Sequence, residues 1–302
     1  MHEVPFLEPV KTAWKHMQRS GDGIDKSKYL WKEKTGIMRL CSIASGSSGN
    51  CVYVGTDATH LLVDVGISKK RTETGLEELG IRMQDLDGIL LTHEHADHIS
   101  GLGVIARKYG IPIYGTSGTI GAIRANHAMG TIDEELFHYV RADEKLTVKD
   151  MTLYPIRTSH DAAEPVAYRV SHDKKKIGII TDLGCYNDYT VECLQGLDLL
   201  YLEANHDINM LQVGSYPYYL KQRILGKKGH LSNEAAGKLL SRLLHDGMKA
   251  IVLGHLSQEN NLPELAYETV RVEVEMSETA YKANDFPLYV AKRNEVSQML
   301  EI

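Results

Sequence analysis

The chain has 302 residues, 43% hydrophobic and 25% charged, with 34 basic against 40 acidic side chains and a formal net charge of −6. These are ordinary globular values: they exclude a disordered or fibrous chain, and the mild acidity excludes a protein that coats nucleic acid by bulk charge. No apolar run approaches the ~18 residues of a membrane span and the first residues lack an apolar signal core, so a cytoplasmic protein with no membrane partner is expected.

Residues 1–37 read as an atypical N-terminal extension, with Pro5, Pro9, Gly21 and Gly23 and no sustained period. The main domain is expected over residues 38–302. Its opening runs, 40–43, 51–54 and 61–65, alternate with Gly/Ser/Asn/Asp turns and predict strands of a hairpin-built sheet. A helix is predicted around 68–79, a strand at 88–91, a helix at 99–109, a strand at 111–114 and a helix at 116–127. The second half repeats the style, with strands at 153–157, 166–170, 177–181 and 197–202. A helix follows at 232–245, with Ser232 as its N-cap and Gly247 just past its end. Strands at 250–253 and 288–290 close the pattern. Two β-rich halves, each covered by helices, predict an α/β protein built as a four-layer αββα sandwich. The four cysteines (Cys41, Cys51, Cys185 and Cys193) form no C-x-x-C pair and are expected as reduced, buried thiols.

The chemistry is concentrated after the strand at 88–91, in Thr92-His93-Glu94-His95-Ala96-Asp97-His98. Four metal-ligating side chains within six residues, H-x-H-x-D-H, arise by chance only ~0.002 times in this length. Imidazoles suit Zn²⁺ and other transition metals, and a carboxylate offsets the charge of a second cation. Two metals need further ligands. His160, Asp182 and His255 each stand directly after a predicted strand, which places them along one edge of the sheets.

Residues 38–302 resemble the metallo-β-lactamase fold, with His93, His95, Asp97, His98, His160, Asp182 and His255 matching its metal motifs in order and context. The resemblance implies two divalent metal ions, Zn or Mn. It places His93, His95 and His160 on one and Asp97, His98 and His255 on the other, with Asp182 bridging. Asp64 matches the aspartate below the site and is expected to orient a ligand imidazole. Four further segments narrow the match: 42–50 (Ser-Ile-Ala-Ser-Gly-Ser-Ser-Gly-Asn), 101–103 (Gly-Leu-Gly), 202–207 (Leu-Glu-Ala-Asn-His-Asp) and 229–236 (Gly-His-Leu-Ser-Asn-Glu-Ala-Ala). They are similar to those of the YycJ/WalJ group, bacterial 5′-to-3′ DNA exonucleases associated with a cell-wall two-component system and related to tRNase Z. That implies a DNA substrate. Asp97, Glu203 and His230 are the residues expected to take part in the chemistry, the last two as a proton-donating pair.

Other features are open at this level. Glu203 also simply ends a strand, and His230 precedes a helix. His206 and Asp207 either line the site or form a polar turn. The run 44–50 is a candidate phosphate cradle. Lys221-Gln222-Arg223 and Lys227-Lys228 are candidate phosphate contacts, and Tyr216, Tyr218 and Tyr219 candidate base-stacking groups. The rivals are a glyoxalase II-like or lactonase-like hydrolase of a small thioester or ester, which needs no donor of the Glu203–His230 kind, and a regulatory binding protein with a vestigial site.

Overall fold

A computed structural model describes residues 36–302, so the expected extension, but for its last two residues, lies outside the described residues. Fourteen strands are described: β1 (Arg39–Ala44), β2 (Cys51–Gly55), β3 (His60–Val63), β4 (Gly88–Leu90), β5 (Ile113–Gly115), β6 (Phe137–Tyr139), β7 (Leu146–Val148), β8 (Met151–Arg157), β9 (Val166–His172), β10 (Lys175–Ile180), β11 (Leu199–Glu203), β12 (Ala250–Gly254), β13 (Leu288–Val290) and β14 (Leu300–Glu301). They form two seven-stranded mixed sheets, in the orders β14-β1-β2-β3-β4-β5-β6 and β13-β12-β11-β10-β9-β8-β7.

The sheets pack through Val52, Val54, Leu61 and Val63 of one and Val170, Ile177, Ile179 and Tyr201 of the other. Along β11 the alternation of a strand explains the unbroken apolar run. Leu199 and Tyr201 face this inner core, while Leu200 and Leu202 face the outer one. Three helices, α1 (Lys69–Glu78), α3 (Leu102–Tyr109) and α4 (Ser117–Ala125), cover the first sheet with Leu76, Ile105 and Ile120. The second sheet is covered by α5 (Asp188–Leu194), α8 (Asn233–Ser241) and α9 (Pro263–Met276), with Leu194, Leu239 and Val270. The four-layer αββα expectation holds.

Local detail departs from the sequence reading in several places, including short elements such as β6, β7 and β14 that it did not anticipate. The helix expected at 99–109 is two: α2 (Ala96–Ile99) and α3, broken where the Gly101 N–H donates to Val65 O at 2.9 Å. A Cβ on Gly101 would overlap Ile67 O, so the break is a backbone-to-backbone packing point. Helix α8 begins as expected, with Ser232 Oγ accepting from Ala235 N at 3.2 Å, but stops at Ser241. Leu243 and Leu244 are buried in the turn that leads to β12. Helix α9 was not anticipated, although Pro263 opens it and Ala266, Val270 and Val274 are buried at helical spacing. Cys41, Cys51 and Cys193 are free and buried as expected, whereas Cys185 is exposed in the loop after β10.

Candidate metal centre

Strands β3 and β4 are parallel, as are β10, β11 and β12, and β8 is antiparallel to β9, which is antiparallel to β10. The carboxyl ends of β3 and β4 share one edge of their sheet, and those of β8, β10, β11 and β12 share one edge of theirs with β9 running the other way, the usual ligand edge of such sheets. Asp64 follows β3, His93 follows β4, His160 follows β8, Asp182 follows β10 and His255 follows β12, while Glu203 ends β11. Three of these residues take a left-handed backbone to turn their side chains inward: Asp64 (φ 61°), Asp182 (φ 56°) and His255 (φ 57°). Such conformations cost about 1–3 kcal/mol each and are held only where the surroundings over-determine them.

The seven expected ligands come together in one cluster. Donor atoms of His93, His95 and His160 lie within 4.8 Å of one another, as do those of Asp97, His98 and His255. His160 donates Nδ1–H to Gly229 O at 3.0 Å, which leaves its Nε2 facing His95 Nδ1 at 3.2 Å. His93 Nε2 is buried with no hydrogen-bond partner. Asp182 lies between the groups, 3.1 Å from His98 Nε2, 3.5 Å from His160 Nε2 and 3.7 Å from His255 Nδ1. Converging imidazole nitrogens around a buried carboxylate fit divalent cations.

A second ring of groups fixes the first. Asp64 accepts from Thr92 N at 2.9 Å and Thr92 Oγ1 at 2.7 Å, and its Oδ2 meets His98 Nδ1 at 2.7 Å. A Cβ on Gly66 would overlap Asp97 O, so only glycine lets the two loops close. Glu203 is fully buried. Its Oε1 accepts from both His230 Nδ1 (2.9 Å) and His255 Nδ1 (2.7 Å), and its Oε2 from Leu183 N (2.9 Å) and Leu231 N (3.0 Å). The pairing of Glu203 with His230 was expected; its simultaneous grip on His255 was not.

The charges are strongly coupled. Burial pushes the Asp182 carboxyl up, but the imidazoles of His255, His98 and His93 hold it well below its ordinary value. Burial pulls His255 down, yet Asp182, Asp97 and Glu203 carry it up to about 10, and His98 is raised well above its ordinary value against burial by Asp182, Asp64 and Asp97. Glu203, opposed by burial and held by His230 and His255, drops to about 2. A histidine raised from 6.5 adds stability that is complete below the unfolded value and lost as pH rises through the folded one. The melting temperature of chelator-stripped protein is therefore expected to fall between pH ~6.5 and ~10. Metal-loaded protein falls less over the same window, because cations bind the neutral imidazoles and gain affinity with pH. Scanning calorimetry of both forms checks this; equal slopes would refute it.

A cleft of about 380 Å³ lies over the group, lined among others by Ser47, Tyr216, Arg223 and His230. Arg223 reaches Asp161 at 2.5 and 3.0 Å beside His160, an ion pair at the site that the sequence reading missed. Tyr218 and Tyr219 do not line this cleft. The 44–50 run serves largely to hold the site. Its Ser45, Gly46, Gly49 and Asn50 N–H groups donate to Arg293 O, Asn50 Oδ1, Gly46 O and Asp97 O, which leaves little of a phosphate cradle. Asp207 caps α6 (Ile208–Val213) by accepting from Met210 N at 2.7 Å, a structural role. His206 is buried at 1% exposure, its Nε2 without a partner.

The chain is similar to known proteins. The beta-lactamase superfamily domain matches residues 59–255. An exodeoxyribonuclease WalJ of Streptococcus pneumoniae is 39% identical over 260 residues, spanning 86% of this chain and 96% of its own. An exodeoxyribonuclease YycJ of Bacillus anthracis is 41% identical over 228 residues, 76% of this chain and 86% of its own. Among solved structures, the metallo-beta-lactamase fold protein YhfI of Bacillus subtilis superposes with a TM-score of 0.66 at 18% identity, covering 88% of this chain and all of that one. With its fold, its histidine–aspartate edge and these relatives in agreement, the chain belongs to the metallo-β-lactamase superfamily and, within it, to the family of the WalJ and YycJ proteins.

Proposed function

We propose that the protein is a dinuclear-metal phosphodiesterase that degrades DNA from a 5′ end. The observation that carries this reading is the Glu203–His230 pair at 2.9 Å beside the histidine–aspartate cluster. Hydrolysis of a thioester expels a weakly basic thiolate and has no comparable need for a strong proton donor to the leaving group. Cleavage of a phosphodiester expels a basic alkoxide and does. The naming of the WalJ and YycJ relatives as exodeoxyribonucleases supports the choice of DNA.

In this reading His93, His95 and His160 hold one cation and Asp97, His98 and His255 the other, with Asp182 shared. Bound Zn²⁺ or Mn²⁺ supplies Lewis acidity at the attacked phosphorus and eases deprotonation of the attacking water. The chain does the rest. Asp64 fixes the His98 ring, and Glu203 fixes both His255 and His230 through one oxygen. With Nδ1–H given to Glu203, His230 carries its transferable proton on Nε2 and delivers it to the departing 3′-oxygen. Among the described residues no helix is long and apolar enough to cross a membrane. The family resemblance extends the reading to the cytoplasm and to a functional link with a cell-wall two-component system.

The test is a time course on 5′- and 3′-labelled DNA duplexes, with Zn²⁺ or Mn²⁺ returned to chelator-stripped protein. Metal-dependent release of mononucleotides from the 5′ label is expected. Intact DNA despite two bound metals per chain would move the substrate to small thioesters and lactones.

A further inference from the structure

His160 also lines a second groove, of about 680 Å³, which shares no residue with the cleft over Asp97 and His255. Its lining includes Ser159 and His160 after β8, Cys185 and Tyr186 after β10 and Lys228 just before His230, together with Arg157 at the end of β8 and Tyr189 of α5. Among the described residues, not one carboxylate lines it. The acids nearby are each engaged, one of them by the groove's own Arg157, which leaves Lys228 as its free cation among the described residues. Asp143 pairs with Arg157 at 2.6 Å, Asp161 with Arg223, Asp188 with Arg242 at 2.7 Å, and Glu164 accepts from Gly118 N at the start of α4. Lys228 has no carboxylate within ion-pair distance among the described residues.

The loop that carries Lys228 is fixed by its backbone. Gly229 N donates to Gly226 O at 2.8 Å, His230 N to Ile224 O at 3.0 Å, and Ser159 Oγ to Lys227 O at 2.8 Å. An uncompensated cation is thus held on a rigid loop between two residues of the centre, His160 and His230. Beside it stands the half-buried Tyr186, its ring packed on the core. A cationic, carboxylate-free groove with an aromatic wall is the chemistry that receives a phosphodiester strand.

We propose that this groove is a subsite for single-stranded DNA. It takes a nucleotide next to the scissile phosphate, with Lys228 on a backbone phosphate and Tyr186 stacked on a base. The proposal rests on the nuclease reading above and adds to it where the strand lies.

The wild-type protein carries its own reporter, because Cys185 is exposed in this groove while Cys41, Cys51 and Cys193 are buried. Burial pushes the Cys41 thiol up to about 12 and raises those of Cys51 and Cys193 as well, so N-ethylmaleimide labels Cys185 first. The metal-loaded full chain is titrated with a fluorescent, phosphorothioate-linked thymidine oligomer of roughly ten nucleotides, and binding is read by anisotropy. At saturation the oligomer is expected to slow Cys185 labelling by about tenfold, as burial of a thiol lowers its access. Tyr186→Ala and Lys228→Ala each weaken binding about tenfold, and Lys228→Ala also flattens the slope of log affinity against log salt by about 0.7. Lys174→Ala, in the β9–β10 turn, leaves affinity and labelling unchanged. An oligomer that binds without protecting Cys185, or that does not bind at all, overturns the proposal. Protection without cleavage of ordinary DNA sinks the nuclease reading and keeps the groove; cleavage without protection does the reverse.

Discussion

Replacing His230 by alanine is expected to slow DNA hydrolysis by about 10²–10⁴-fold, the range for loss of a positioned general acid. The same variant is expected to lose less than about tenfold on a thymidine 5′-phosphate ester of p-nitrophenol, because that leaving group departs without a proton. The contrast separates proton donation from assembly of the centre. His230 Nδ1 is 2.9 Å from Glu203 and 3.4 Å from Asp182, so its removal leaves the other imidazoles and their partners in place. Steady-state kcat on the two substrates is the measurement. Equal losses on both would show that His230 acts by holding the site together and would remove the donor from the mechanism. Glu203→Gln cannot make this distinction, since the same oxygen also orients His255.

The second large effect is expected at Asp182. Asp182→Asn keeps the side-chain shape and a residue type that tolerates the left-handed backbone at φ 56°, so folding is retained. It removes the one anion that lies within reach of both histidine groups. Bound metal is expected to fall below two per chain, and kcat by at least about 10³-fold, since each tenfold corresponds to ~1.4 kcal/mol and metal centres supply several kcal/mol of charge stabilisation. Elemental analysis of the purified variant and single-turnover rates test both halves. A variant that keeps two metals and near-normal turnover would show that Asp182 is not shared between them.

These expectations rest on a site whose parts differ in how readable they were. His93, His95, Asp97 and His98 fall within six residues, so their convergence is a local property of one loop, legible without a fold. His160, Asp182 and His255 are far apart in the chain. They could be read only because each follows an apolar strand, and strands in such sheets deliver their carboxyl ends to one edge. Asp64 was named from resemblance and does meet His98, at 2.7 Å. The pairing of Glu203 with His230 was anticipated from resemblance.

What the chain order does not encode is which polar groups spend their bonds on one another. The 44–50 run looks like a phosphate cradle until four of its N–H groups are found occupied, one of them by Asp97 O from a distant loop. Arg223, from α7 (Tyr218–Leu225), reads as a candidate phosphate contact until it is found paired with Asp161 from the loop after β8. The local charge at Lys228 depends on the acids around the groove being engaged, Asp143 by Arg157, Asp161 by Arg223, Asp188 by Arg242 and Glu164 by Gly118 N. Element type and the metal-binding loop follow from residue pattern, because hydrophobic period and ligand spacing act over a few residues. Hydrogen-bond partners and local charge depend on contacts between segments up to a hundred residues and more apart. A buried polar group takes whichever partner the packing brings within ~3 Å, and only the tertiary structure decides that.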